Sequence, residues 1–255
     1  LTAWPIGIAL GLLTQGLIAD AYGWPWAIYA TGALALVAFL LTATLYRDPP
    51  HIAHGTGQPL RFGLRRRQLV HISVVGVGWT LYNVSLIILV SFGPDVVIGL
   101  GYEAGAARTI ISLFTWSMLI SVPFGGRVME MLGWITLPTV ICLIVSAALT
   151  VALVQGLSPI AVTIALGAIF GFPAGALMSL TAQALSPDNR GPGLGIFYTW
   201  YFVGMTAGPA FTGWMRDLSG VAAPLITSAV MLVAVVMCIA AFRVLQRIWP
   251  IEGTA

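Results

Sequence analysis

Eight stretches of this chain run for about 20 residues or more with charge confined to their ends. They span residues 1–19, 25–46, 69–99, 107–130, 135–154, 159–184, 193–217 and 222–245. A helix of that length crosses roughly 30 Å of hydrocarbon, where every backbone N–H and C=O must find a partner inside the protein. The runs are too long for barrel strands and do not alternate between apolar and polar residues. The expected fold class is therefore an all-α polytopic membrane protein with eight spans. Charged residues make up 7% of the chain, hydrophobic residues 59%, and mean hydropathy is +0.98. Soluble domains carry about 25% charge, so lipid is the expected solvent and the bilayer the first expected partner.

A skeleton of glycines and one aspartate occurs twice. It reads Gly7, Gly11, Gly16, Asp20, Gly23 near the start and Gly204, Gly208, Gly213, Asp217, Gly220 near the end, with the same gaps each time. Each copy joins one apolar run to the next. Such a repeat points to two parallel halves, an architecture common among transporters.

All eleven basic residues are arginines, and they are unevenly spread. Alternate connections hold Arg47, Arg61, Arg65, Arg66, Arg67, Arg127, Arg190, Arg243 and Arg247; the opposite set holds Arg108 and Arg216. The richer side is expected to face the cytoplasm, together with the C-terminus. The segment 47–68 is the one long connection and reads as a cytoplasmic linker. It separates residues 1–46, the last two helices of a first bundle, from a six-helix bundle over 69–249, with 250–255 as a cytoplasmic tail. Leu1 lies inside an apolar run, so the chain reads as truncated.

These features together resemble the last two-thirds of a major facilitator superfamily transporter. The turn from Gly126 to Gly133, with Glu130 as its acid, is similar to the family's cytoplasmic G-x-x-x-[DE]-x-x-G loop; Met131 and Trp134 replace its usual basic residues. Gly195, Gly204, Gly208-Pro209 and Gly213 are similar to a glycine motif ending in Gly-Pro, although Leu12 stands where the earlier helix would carry its proline. Trp4-Pro5-Ile6-Gly7, Tyr82-Asn83 and Ser186-Pro187-Asp188-Asn189-Arg190-Gly191 resemble the bacterial branch that includes cyanate permeases. The resemblance implies two six-helix bundles around a central cavity and alternating access in a bacterial inner membrane. It also implies that further N-terminal helices complete the protein. The solute would be small, a small anion or organic acid by branch, with protons as a candidate coupling ion.

Residue by residue, Gly7, Gly11, Gly204 and Gly208 let helices approach closely, for packing or for sliding between bundles, and Pro209 adds a kink. On the run 69–99, His71, Trp79, Tyr82, Asn83 and Leu86 share a stripe. An amide at Asn83 costs several kcal/mol if it faces lipid, so it must face protein or a water-filled cavity. Trp79, Tyr82 and Asn83 are the first candidates for the solute path; interhelical bonding and aromatic packing are the alternative. His71 is expected to be solvated at the cytoplasmic end. Gly171-Phe172-Pro173-Ala174-Gly175 should bend its helix, which offers Phe172 and Ser179 as further path candidates beside Ser112 and Trp116. Asp95 is the nearest candidate for coupling, with pairing to Arg108 as the structural alternative.

Other function classes fit less well. No basic patch carries interleaved aromatics, so no nucleic-acid partner is expected. No catalytic motif occurs, and His51 and His54 lack companions at metal-ligand spacing; no enzyme, cofactor or metal is expected. Cys142 and Cys238 sit in apolar runs and read as inert thiols. A transporter-like receptor or membrane subunit that moves nothing is the alternative function.

Overall fold

A computed structural model describes residues 3–47, 64–132, 135–186 and 189–251, and all its elements are helices. The expected linker is described only at its two ends. Gly133, Trp134, His51, His54, the tail beyond Ile251 and the Glu130 side chain lie outside the described residues. The helices are α1 Ala3–Tyr22, α2 Trp24–Leu45, α3 Arg66–Gly99, α4 Ala104–Leu132 and α5 Thr136–Val154. They continue as α6 Pro159–Phe170, α7 Pro173–Ala184, α8 Arg190–Ser219 and α9 Ala223–Ile248. Each expected span coincides with a helix, or with α6 and α7 together.

Six of these segments are long and apolar enough to cross a membrane: α2, α3, α4 to Val128, α5, α6 with α7, and α9. The sequence expectation of eight therefore stands at six on length and composition. Glycines, tyrosines and tryptophans make the 30-residue α8 less apolar, and most α1 side chains in its first half lie outside the described residues.

The chain divides into two compact units. One, Ile6–Phe62, contains α1 from Ile6 onward and α2, between which the Gln15 amide donates to the Thr31 hydroxyl. The other holds α3 to α9. In it α3 packs most extensively on α9 and α8, α4 on α6, and α5 on α9. Its core runs through Ile72, Tyr82, Leu89, Phe114, Phe170 and Phe242.

The repeated skeleton closes each of its copies with the same backbone. Gly23 has φ 90° and ψ 156°, and Gly220 has φ 90° and ψ −179°, a region essentially reserved for glycine. Each ends its helix by donating its N–H four residues back, Gly23 to Ala19 at 2.9 Å and Gly220 to Arg216 at 2.8 Å. Each following helix carries a proline in its first turn, Pro25 or Pro224, where no N–H is needed.

Charge separates the two ends of the α3–α9 unit. Arg65, Arg66, Arg67, Arg127, Arg190, Arg243 and Arg247 fall at one end with Glu130 of α4; Arg108 and Arg216 fall at the other with Asp95, Glu103 and Asp217. Helices that alternate in direction bring these connections together, so the asymmetry read along the chain becomes an asymmetry in space.

Candidate functional site

The interior of the α3–α9 unit centres on Tyr82, whose side chain is fully buried. Its ring stacks on Phe170 with centroids 4.6 Å apart, and Phe170 meets Phe114 edge-on at 5.4 Å. The Tyr82 hydroxyl donates to the Phe170 carbonyl at 2.6 Å. That carbonyl ends α6: Gly171 and Phe172 form a turn, and Pro173 opens α7. The bend read from Gly171-Phe172-Pro173 thus lies between two helices, because Pro173 cannot donate into a continuous ladder. Tyr82 satisfies one of the carbonyls that this break releases.

Around it the polar atoms of α3 are engaged within the bundle. Asn83 is buried and its amide donates to the Trp79 carbonyl at 2.8 Å. Ser85 donates to the Tyr82 carbonyl at 2.7 Å, and Ser228 of α9 reaches across to the Ser85 carbonyl at 3.0 Å. Trp79 is half-buried and lies against both Tyr82 and Phe197, with centroids 5.9 and 6.1 Å apart.

Of the residues expected along a solute path, Trp79 and Tyr82 therefore meet, and Phe172 stands at the break that Tyr82 holds. Phe172 is half-buried. Ser112 and Ser179 each donate back into their own helix, to Thr109 at 2.7 Å and Ala176 at 2.8 Å. Trp116 is 40% exposed on α4. In this conformation the interior is packed by protein, and the hydroxyl of Tyr82 and the amide of Asn83 close on carbonyls.

Two expectations need correction. His71 is fully buried, not solvated: its Nδ1 lies 2.7 Å from the Arg67 carbonyl, Phe242 meets the ring edge-on, and Nε2 has no partner among the described residues. The α9 helix covers it, which position near a helix end did not reveal. Asp95 pairs with Arg216 of α8 at 2.8 Å, not with Arg108, whose Nε donates to the Ala104 carbonyl at 3.3 Å. The Arg216 guanidinium also stands 6.0 Å from the centre of the Phe92 ring.

The Asp95 pair belongs to a longer seam. Gly76 faces Phe197 and Trp200, Gly204 receives Thr80, Gly208 receives Val84, and Gly213 faces Phe92. Partners rise together along both helices, so α3 and α8 run parallel. A Cβ at Gly204 or Gly208 would overlap the Thr80 or Val84 side chain, so these glycines are required by the approach. Just beyond them Pro209 lies inside α8, and Thr212 donates to the Gly208 carbonyl at 2.8 Å. Gly7 and Gly11, their counterparts in α1, have no atom of the described residues within 4 Å of where a Cβ would stand. The stretch read as a cytoplasmic turn from Gly126 is instead the last part of α4, helical as far as Leu132, and no described atom lies within 4 Å of where a Cβ on Gly126 would stand.

Two arrangements have no counterpart in the sequence expectations. On α4, Gly125 fits against the Phe172 backbone; on α6, Gly167 fits against the Phe114 carbonyl, and in the turn that follows Gly171 fits against Ser121. The spacing of Gly167 and Gly171 is that of Gly204 and Gly208 and was a usable signal. At the arginine-rich end, Arg243 donates to Thr136 of α5 at 3.0 Å and to Gln183 of α7 and Gln246 of α9 at 2.8 Å each. A cation held by neutral oxygens ties three helices together there, and no spacing along the chain announces it. No protein-family model matches the chain, and no curated protein matches it either.

Proposed function

We propose that this chain belongs to a permease of the major facilitator type, which carries a small solute across a bacterial inner membrane by alternating access. In this reading α1 and α8 also cross the bilayer, giving eight spans, and the arginine-rich end with the C-terminus faces the cytoplasm. The observation that carries the reading is the duplicated turn. The same glycine skeleton ends α1 and α8 with the same left-handed glycine and the same i−4 closure. Internal duplication of a helical hairpin is the signature of carriers built from repeated bundles.

Gly204 and Gly208 meet α3 within the six-helix bundle, so the sliding expected between bundles would here be a shift of α8 along α3 inside one bundle. The contacts of this α3–α8 seam are two short branched side chains, Thr80 and Val84, each seated against bare glycine backbone, so no α8 side chain interdigitates with them at those positions. Trp79 and Phe172 are the half-buried candidates from which a solute path would open beside Tyr82, Asn83, Ser112, Trp116 and Ser179. The solute is a small anion or organic acid, and Asp95 is a candidate for coupling only in so far as it leaves Arg216.

The test is uptake of labelled small carboxylates and inorganic anions by proteoliposomes containing the purified protein. Gly208→Leu should insert normally, judged by its elution on size exclusion, yet abolish uptake because leucine cannot pass Val84. Undiminished uptake by that variant removes the sliding seam. Absence of any carried solute for the parent favours a receptor-like protein.

A further inference from the structure

We infer that a cavity at the arginine-rich end of the α3–α9 unit binds a phosphate-bearing anion, supplied by the headgroup of an anionic phospholipid. The cavity measures about 620 Å³ and is lined by Arg65, Arg66, Arg67, Gln68, Ser186 and Asn189, with Pro250 and Ile251 on the C-terminal side. That volume falls within the range of small-ligand sites, about 300–1,000 Å³. Three successive residues at a helix start point about 100° apart, so a space that all three line wraps the first turn of α3. No acidic side chain lines it among the described residues, and Arg66 and Arg67 have no acidic partner there.

The floor of the cavity is built. Gln68 is 5% exposed; its amide donates to the Ser186 hydroxyl at 2.9 Å and its carbonyl accepts from Asn189 at 2.7 Å. Ser186 thus accepts through its oxygen and keeps its own O–H to donate. The start of α3 adds partial positive charge and carries no acidic residue in its first turn. Guanidiniums, a hydroxyl donor and a helix start together match the several oxygens of a phosphate better than a single carboxylate. Arg66 opens a span of the bilayer, so the cavity lies at headgroup depth, where lipid phosphate is always within reach.

This inference rests on the membrane embedding of the unit and not on transport. Native mass spectrometry of the purified full chain in detergent, titrated with phosphatidylglycerol, phosphatidylcholine or inorganic phosphate, tests it. Phosphatidylglycerol should bind in preference to phosphatidylcholine. The double variant Arg66→Gln/Arg67→Gln should weaken it about 25-fold, roughly five-fold for each arginine near an anionic lipid. Arg108→Gln at the opposite end should leave it unchanged. Displacement by inorganic phosphate at equal affinity keeps the site and assigns free phosphate as its source. Equal binding of both lipids, or unchanged affinity in the double variant, overturns the site. A photoreactive phosphatidylglycerol on the unaltered protein needs no variant to fold. Its label should fall in peptides covering 64–68 or 186–190, and labelling confined to other peptides overturns the proposal. A protein that carries no solute but passes both arms keeps the site and loses the transporter reading alone.

Discussion

The α3–α9 unit contains two close helix seams that use glycine differently. Between α3 and α8, Gly204 and Gly208 accept side chains, the methyl of Thr80 and a branch of Val84. Between α4 and the α6–α7 pair, Gly125 and Gly167 accept backbone, at Phe172 and at the carbonyl of Phe114, while Gly171 between them meets both the Ser121 hydroxyl and the Val122 backbone nitrogen. Ser121 of α4 adds a hydrogen bond to the Gly167 carbonyl at 2.9 Å. Side chains can rotate out of a notch; a helix backbone moves only as a whole. The difference separates a seam whose contacts a side-chain rotation can release from one whose contacts give way only when a helix moves. It places the rigid seam beside the α6–α7 break, whose released Phe170 carbonyl Tyr82 also holds.

The comparison breaks first at Gly167. An alanine there puts a Cβ into the Phe114 carbonyl, with no side chain available to give way. Overpacking typically costs 1–3 kcal/mol, and a backbone obstacle should place this variant near the top, at about 3 kcal/mol. Thermal unfolding followed by a thiol-reactive dye on Cys142 and Cys238, both half-buried, measures it. A Gly167→Ala protein that unfolds at the parent temperature would erase the distinction between the seams.

Gly204→Ala should cost less, about 1–2 kcal/mol, because the obstacle is one methyl of Thr80. More tellingly, Thr80→Ala removes that methyl. The double variant should recover most of the loss, a coupling that residues in direct contact show and distant ones do not. Thr80 also donates to the Gly76 carbonyl at 2.7 Å, within its own helix, so recovery should be incomplete by a few tenths of a kcal/mol. No partner truncation on α4 could restore Gly167→Ala in this way. Strictly additive effects at 80 and 204 would show that the glycine is not a notch for threonine.

Much of the architecture was legible along the chain, and what escaped has a common cause. Apolar run length places every helix, because the hydrocarbon thickness sets it, and Pro173 between glycines marks the α6–α7 break. Periodicity puts His71, Trp79, Tyr82 and Asn83 on related faces of α3, yet it cannot say which neighbour covers a face. Thus the burial of His71 under Phe242, the hydroxyl of Tyr82 on Phe170 and the choice of Arg216 over Arg108 by Asp95 all stayed hidden. Each joins residues far apart in sequence. The arginine run 65–67 was visible as charge, but the cavity it lines needs Ser186 and Asn189 from another loop. Gly167 and Gly171 were visible as spacing, while their backbone contact is a matter of which helix lies opposite.

The smallest effect belongs to the far end of the α3–α8 seam. Asp95 and Arg216 are 35% and 41% exposed, so water screens their pair and its contribution to stability is at most about 1 kcal/mol. Asp95→Asn should therefore shift unfolding very little. If the pair instead latches α3 against α8 at one end of an alternating cycle, its loss shifts the balance between conformations more than it weakens the fold. Arg216 stays beside Phe92 in that variant, so the arginine is not left without a contact. Cysteine accessibility separates the two roles: Cys238 abuts Gly78 on α3, and its alkylation rate reports how tightly that helix is held. A rate that rises in Asp95→Asn while the unfolding temperature holds marks a latch. A rate unchanged at the same temperature reduces the pair to surface decoration and leaves the glycine notches as the seam's sole determinant.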